Sequence, residues 1–303
     1  MFKRPSANFW RNRSVLVTGA GSGIGREITL QLLRLEARVL AVSLREDELE
    51  TLQINAGKNI DRLSTLTMDL TDAQAIDQLM KHLNEQGTPV EVLINNAGTA
   101  LYGPQIELNP VKVHNMLNLN VQVLTALASK IANHMIEKGI PGRILNVASI
   151  AAFAPVPNLA AYSASKHYVL AFSNALAQEL KPYGIHVGSL CPGITKTPIF
   201  ERMGLNPTSS NKTSVSYWTE RVAMSVIPVA TCAIHAIENK AAVALPGINR
   251  LVTVGRLIPG QHLSSLIFRI ISTRESAGQA CCNPLANTLW ESGFLNHTFL
   301  QSM

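Results

Sequence analysis

The stretch TGAGSGIG, residues 18–25, decides the fold of this 303-residue chain. It directly follows the apolar run SVLVT (14–18) and opens the segment 24–35, whose apolar residues recur at helical spacing. Free N–H groups and the positive end of a helix dipole attract anions at such a strand–helix turn. Glycines there allow a tight turn and close approach of the backbone to a pyrophosphate. The stretch therefore predicts a dinucleotide-binding loop.

Short apolar runs alternate with helical segments throughout most of the chain. Most of the runs are continuously apolar, which is typical of parallel strands that are covered on both faces. We therefore predict an α/β fold, a Rossmann-type doubly wound parallel sheet of about seven strands, with its ligand site at the carboxyl ends of the strands. The predicted strands are 14–18, 38–42, 63–68, 90–95, 142–149, 185–190 and 241–245, and the clearest helices are 24–35, 73–82 and 162–180.

We predict a single catalytic domain with a C-terminal extension. Within it, the region 199–228 breaks the strand–helix pattern and is typical of a lid or a disordered segment. The predicted divisions are a basic N-terminal lead (1–13), the Rossmann-fold catalytic domain (14–248), a basic amphipathic extension (249–274) and a polar tail (275–303).

Composition excludes several classes of protein. Apolar residues make up 47% of the chain, which is too many for a disordered protein. Four cysteines are too few for a disulfide framework, and no Cys/His cluster has metal-ligand spacing, so we expect a reducing, cytoplasmic location and no metal. The N-terminus lacks the apolar core of a signal peptide, and no run of apolar residues is long enough to predict a spanning helix.

The net charge of +6 raises the possibility of a nucleic-acid or membrane partner. The segment 14–239 is nearly neutral, however, and the excess of positive charge lies in the flanks. No nucleic-acid recognition motif is present, so we expect no nucleic-acid partner. The extension 249–274 has the pattern of a basic amphipathic helix, which predicts either peripheral membrane contact or folded packing against a pocket or a second subunit.

Further motifs follow the glycine loop in a fixed order, each at a predicted strand end or on a predicted helix. With these motifs the chain resembles the short-chain dehydrogenases/reductases from Ser14 to about Gly247. The motifs that carry the resemblance are TGAGSGIG (18–25), Asp69-Leu70, NNAG (95–98), Asn120, Ser149, YSASK (162–166) and PGITKT (192–197).

Tyr162 and Lys166 are four residues apart and share one face of a helix. An adjacent ammonium favours the phenolate and lowers the pKa of the tyrosine, which could then exchange a proton with a carbonyl or carbinol oxygen. Ser149 would donate a hydrogen bond to the same oxygen. The resemblance implies that Lys166 also contacts the nicotinamide ribose. It further implies that Asn120 holds a water that links the lysine to solvent, although Asn120 could instead satisfy helix backbone. Hydride transfer belongs to the cofactor.

The resemblance also implies the cofactor contacts. Asp69 matches the residue that meets the adenine amino group, while Asn95 either shapes the adenosine channel or ties neighbouring strands together. The full set is Gly19, Ser22, Gly23, Ile24, Gly25, Ser43, Arg45, Asp69, Leu70, Asn96, Ala97, Gly98, Tyr162, Lys166, Pro192, Gly193 and Thr197.

The choice between NADP and NAD is made at the end of the second strand. NAD-binding relatives place an Asp there for the ribose 2′-hydroxyl, whereas this chain has Ser43. We find no carboxylate to repel a 2′-phosphate, and Arg45 could pair with it. Leu44, however, occupies the position where NADP-dependent relatives often carry Arg. The sequence favours NADP, with NAD possible.

The sequence predicts an NADP(H)-dependent oxidoreductase that interconverts a ketone or aldehyde and an alcohol. The segments 150–159 and 199–225 should contact the substrate. Their apolar character favours a lipid-like, acyl, steroid-like or aromatic compound and a place in lipid metabolism. Alternatively, these apolar residues belong to the hydrophobic core. The resemblance implies a homodimer or homotetramer. One alternative is a catalytically idle NAD(P)-binding sensor or scaffold. Another is an epimerase or dehydratase of the extended branch, for which the region after Gly247 is too short.

Overall fold

The structure is a computed structural model that describes residues 5–87, 89–203 and 223–247. Within these ranges, the strands are β1 (Ser14–Thr18), β2 (Arg38–Ser43), β3 (Leu63–Thr67), β4 (Val92–Asn95), β5 (Arg143–Val147), β6 (His186–Leu190) and β7 (Val243–Ala244). All neighbours pair in parallel, in the order β3-β2-β1-β4-β5-β6-β7. The strand order reverses between β1 and β4, which opens a crevice at their carboxyl ends. The predicted doubly wound sheet is confirmed.

Helices cover both faces of this sheet. Those described are α1 (Ala7–Trp10), α2 (Gly23–Arg34), α3 (Glu46–Ala56), α4 (Ala75–Glu85), α5 (Pro110–Leu117), α6 (Leu124–Glu137), α7 (Ala160–Leu180), α8 (Ile199–Arg202) and α9 (Val226–Glu238). A π-helical turn, Asn118–Val123, joins α5 to α6. Such turns are frequent at functional sites, and this one contains Asn120.

Neighbouring residues of each central strand enter opposite halves of the core. In β1, Val15 and Val17 pack with α2, α3 and α9, while Leu16 packs with α4, α6 and α7. Both faces of the strand are therefore buried, which explains why the strand sequences are apolar without alternation.

The basic N-terminal segment, predicted to precede the fold, contributes to it. Trp10 of α1 is fully buried in the cluster formed by α2 and α9. Its indole nitrogen donates a hydrogen bond of 2.7 Å to Glu238 at the end of α9. Arg13 pairs with Glu91 at 2.9 Å. An aromatic side chain with a partly buried hydrogen-bond partner therefore anchors this segment to the domain.

The extension 249–274, the tail 275–303 and most of the predicted lid lie outside the described residues. Among the helices that the structure describes, none is long and apolar enough to cross a membrane.

Candidate active site

A cleft of about 1090 Å³ lies at the carboxyl ends of the strands. Its volume is slightly larger than the ~300–1,000 Å³ that ligand sites usually occupy. Of the residues predicted from the sequence, those lining it are Gly19, Ser22, Gly23, Ile24, Ser43, Arg45, Asp69, Leu70, Asn96, Ala97, Gly98, Ser149, Tyr162, Lys166, Pro192, Gly193 and Thr197. Gly25 and Asn120 are not among the lining residues; both are buried and contact the loops that form the wall.

The glycine loop between β1 and α2 has the shape of a cradle. Gly19 and Gly23 have positive φ angles of 61° and 55°, which residues other than glycine rarely adopt. A Cβ added to Gly25 would overlap the carbonyl oxygen of Gly19, so a side chain there would fill the turn. The loop therefore fits a pyrophosphate at the N-terminus of α2.

The NNAG motif is bound to this loop by hydrogen bonds. The Asn96 side chain donates to the carbonyl oxygens of Thr18 at 2.9 Å and Gly19 at 3.1 Å, and Thr18 Oγ1 accepts from the backbone N–H groups of Asn96 and Ala97. Asn95 instead donates to the carbonyl oxygen of Leu124 on the neighbouring helix, at 2.9 Å. Asn95 therefore binds a helix, and this bond does not tie neighbouring strands together.

Asp69 and Leu70 line the cleft just beyond the end of β3. One carboxylate oxygen of Asp69 accepts from both the backbone N–H and the hydroxyl of Thr71, at 2.9 and 2.6 Å. These bonds orient the carboxylate at the wall of the cleft, where the resemblance implies an adenine contact.

On the opposite side, the PGITKT turn packs against the glycine loop. A Cβ added to Gly23 would lie 3.1 Å from the methyl group of Thr197. The carbonyl oxygen of Pro192 accepts from the backbone N–H of Ile150, at 2.9 Å. The turn is thereby held between the loop and the segment that follows Ser149.

Ser149, Tyr162 and Lys166 come together in the middle of the cleft. Ser149 follows β5, and its side chain accepts from the backbone N–H of Ala151 at 3.1 Å. Lys166 is 5% exposed; its ammonium donates to the carbonyl oxygen of Val147 at 2.9 Å and lies 5.8 Å from the centre of the Tyr162 ring.

The pKa of Tyr162 differs from the expectation based on the sequence, which was a pKa lowered by Lys166. Burial raises the pKa of Tyr162, and the group that lowers it is Ser149, through a side-chain hydrogen bond. The ammonium of Lys166 is directed to Val147 rather than to the phenol oxygen. Burial lowers the pKa of Lys166 itself to about 8, partly offset by the thiol of Cys191. The pKa of Lys166 therefore lies closer to neutrality than that of an exposed lysine.

Asn120 is buried beside the catalytic group. Its side-chain oxygen accepts from the backbone N–H of Thr99 at 2.9 Å, and its amide nitrogen donates to the Thr99 carbonyl at 2.8 Å and to Ser165 at 3.2 Å. A Cβ added to Gly98 would lie 3.0 Å from Asn120 Oδ1 and 3.5 Å from Lys166 Nζ. The asparagine therefore fixes the backbone that separates it from the lysine.

The end of β2 corrects the expectation that no carboxylate is present there. Glu48 lies five residues beyond Ser43, but the first turn of α3 returns its carboxylate to the cleft, 3.5 Å from the Ser43 hydroxyl. Arg45 makes a two-point ion pair with Asp47, at 3.0 and 2.7 Å. Arg202 of α8 lies across the cleft and reaches Glu48 at 2.7 Å. Sequence reasoning missed both Glu48 and Arg202, because neither belongs to a motif.

The remaining wall is largely apolar. Both segments predicted to contact substrate contribute to it, with residues such as Val156 and Phe200. Leu205, Tyr217 and Trp218, which belong to the predicted lid, lie outside the described residues. The structure adds a third contributor, the loop and helix after β4: Leu101, Tyr102, Lys112, Asn115 and Met116. The signal for it was available, because this loop also leaves the carboxyl edge of the sheet.

Comparison with known proteins identifies similar folds and sequences. The sequence profile of the short chain dehydrogenase family matches residues 13–207. Carbonyl reductase (NADPH) 2 of Sus scrofa is 32% identical over 197 residues, which are 65% of this chain and 78% of that protein. L-xylulose reductase of Mus musculus is 32% identical over 187 residues, 62% of this chain and 73% of that protein. A short-chain dehydrogenase of Sphingobium yanoikuyae, solved in complex with NADPH, aligns with a TM-score of 0.69 and 26% identity and covers 90% of this chain and 99% of its own.

Proposed function

The chain belongs to the short-chain dehydrogenase family, and from that premise we propose that it is an NADP(H)-dependent oxidoreductase that interconverts a ketone or aldehyde and an alcohol on an apolar substrate. The observation that carries the proposal is the meeting of Ser149, Tyr162 and Lys166 in the cleft that the glycine loop also lines. Solved relatives bind NADPH, and others bind NADH, so NAD remains a second cofactor for this site.

The residues present fit a nicotinamide dinucleotide. The loop around Gly19 and Gly23 would hold the pyrophosphate, Asp69 the adenine, and Lys166 the nicotinamide ribose. When bound, the nicotinamide supplies or accepts the hydride. The protein must then orient the carbonyl carbon toward it and manage one proton.

Proton exchange falls to Tyr162. In the reducing direction, its hydroxyl gives a proton to the carbonyl oxygen of the substrate, and Ser149 donates a hydrogen bond to the same oxygen. In the oxidising direction, the phenolate takes the alcohol proton. Burial favours the neutral phenol, and the hydrogen bond to Ser149 offsets part of that cost.

An apolar substrate follows from the wall of the cleft. Val156, Pro157, Phe200 and Met203 line the cleft and offer hydrophobic contact to a substrate. Lys112 lines the cleft from the exposed start of α5. Burial of apolar substrate surface therefore supplies most of the binding energy that this wall can offer.

The test is carbonyl-dependent oxidation of NADPH with a panel of oxo-acyl, steroid-like and aromatic carbonyl compounds. Tyr162→Phe should lower kcat by about 10²- to 10⁴-fold, because a positioned general acid contributes that much. NADPH binding, measured separately, should change little. Tyr168→Phe is the matched control, since Tyr168 lies on the same helix but is exposed and bonded to Thr125. NADPH binding without turnover of any carbonyl would contradict the proposal.

A further inference from the structure

A charged cluster closes the end of the cleft at β2, away from the catalytic group. Arg202 of α8 pairs with Glu48 of α3 at 2.7 Å, and the same guanidinium nitrogen lies 3.5 Å from Ser22 of the glycine loop. All three residues line the cleft. The pair thus joins the substrate-side helix to the part of the cleft where the adenosine ribose of a dinucleotide would lie.

This ion pair differs from an ordinary surface pair. The Glu48 side chain is 16% exposed and also meets the Ser43 hydroxyl at 3.5 Å. A Cβ added to Gly21 would lie 2.7 Å from its carboxylate, so the carboxylate sits directly against the glycine loop. The Arg202 side chain is 48% exposed and can leave its partner without unpacking the core.

The other two arginines of the cluster are bound mainly by other groups, although Arg45 also lies 3.9 Å from the Glu48 carboxylate. Arg26 donates to the carbonyl oxygen of Gly21 at 2.6 Å and to that of Glu48 at 3.5 Å, so it supports the backbone. Arg45 is bound at two points by Asp47. Among the described residues of the cluster, Arg202 is therefore the cation whose pairing spans the cleft itself.

We propose that Arg202 binds the ribose 2′-phosphate of NADPH and that Glu48 is its partner when the phosphate is absent. The inference rests on the proposed function, which supplies the cofactor. A phosphate dianion offers a guanidinium more charge and more acceptor oxygens than a carboxylate does, so Arg202 exchanges Glu48 for the phosphate. Glu48 then opposes the phosphate by like-charge repulsion, so the two members of one ion pair act on NADPH in opposite directions.

The experiment measures dissociation constants of NADPH and NADH by calorimetry, with no turnover required. Arg202→Gln should weaken NADPH binding by about 10- to 100-fold, the equivalent of a lost charge-assisted hydrogen bond. NADH, which has no 2′-phosphate, should change by less than about threefold. Glu48→Gln should strengthen NADPH binding by about threefold or more and so raise the preference for NADPH. Arg11→Gln is the matched control, because Arg11 pairs with Glu36 at 2.8 Å outside the cleft.

Four results would overturn the inference. Equal weakening of both cofactors by both variants would show that the pair is a structural latch. Loss of NADH binding in Glu48→Gln, with NADPH unchanged, would show that Glu48 accepts from a ribose hydroxyl. If Arg202→Gln has the same preference for NADPH over NADH as the wild type, and the wild type turns over its carbonyl substrate, this inference would be wrong and the proposed function would stand. A wild-type protein that binds neither cofactor would remove both.

Discussion

Replacement of Lys166 by methionine should stabilise the protein while it abolishes activity. Burial lowers the pKa of this lysine from 10.5 to about 8, and each unit corresponds to about 1.36 kcal/mol. The charged side chain therefore costs the folded state about 3 kcal/mol at neutral pH. Methionine removes that cost but leaves the carbonyl oxygen of Val147 without its donor at a penalty of about 1–2 kcal/mol. We expect a net gain of about 1–2 kcal/mol in the free energy of unfolding.

The pH dependence of that gain is the sharper readout. Between pH about 8 and 10.5 the unfolded lysine binds more protons than the folded one, so wild-type stability rises with pH in this window. The cost is thus present below the folded pKa and disappears as pH approaches the unfolded pKa. The stability difference between Lys166→Met and wild type should therefore shrink by about 2 kcal/mol from about pH 7 to about pH 9.5.

Urea unfolding of both proteins across this range measures the difference directly, since titrations common to both proteins cancel. Lys81→Met removes an exposed lysine of α4 and serves as the matched control, whose stability should follow the wild-type pH profile. A stability difference that stays constant with pH, or that grows as pH rises, would refute the reasoning.

Two further substitutions test the loop and the N-terminal anchor. At an open helix position, a Gly→Ala substitution stabilises the protein by up to about 1 kcal/mol, but the Cβ of Gly25→Ala would overlap the Gly19 carbonyl oxygen. We therefore expect Gly25→Ala to lower the free energy of unfolding in urea by about 1–3 kcal/mol and to weaken NADPH binding in calorimetry at least tenfold. Full NADPH affinity in this variant would contradict the tight turn. Trp10→Ala should cost about 3–5 kcal/mol, because it empties a fully buried site and removes the bond to Glu238; a loss below about 1 kcal/mol would show that residues 7–13 are dispensable.

The catalytic residues illustrate how far sequence reasoning reached. Their spacing placed Tyr162 and Lys166 on one helix face, and the motif order placed Ser149 at a strand end beside them. The direction in which the pKa of Tyr162 shifts could not be predicted from the sequence in the same way. It depends on how much solvent the cleft removes and on where the lysine ammonium points, and both are properties of the folded protein.

The fold and the position of the glycine loop were determined by the sequence itself, because helical and strand periodicities and the glycine turn are local properties of the chain. The tertiary structure alone decided the cluster at the end of β2. Glu48 and Arg202 are far apart in sequence and belong to no motif, yet the first turn of α3 and the short helix α8 bring their charges to 2.7 Å. The anchoring of Trp10 by Glu238 is of the same kind. Contacts between side chains that are distant in the sequence arise from tertiary packing, and the periodicity of the sequence does not predict them.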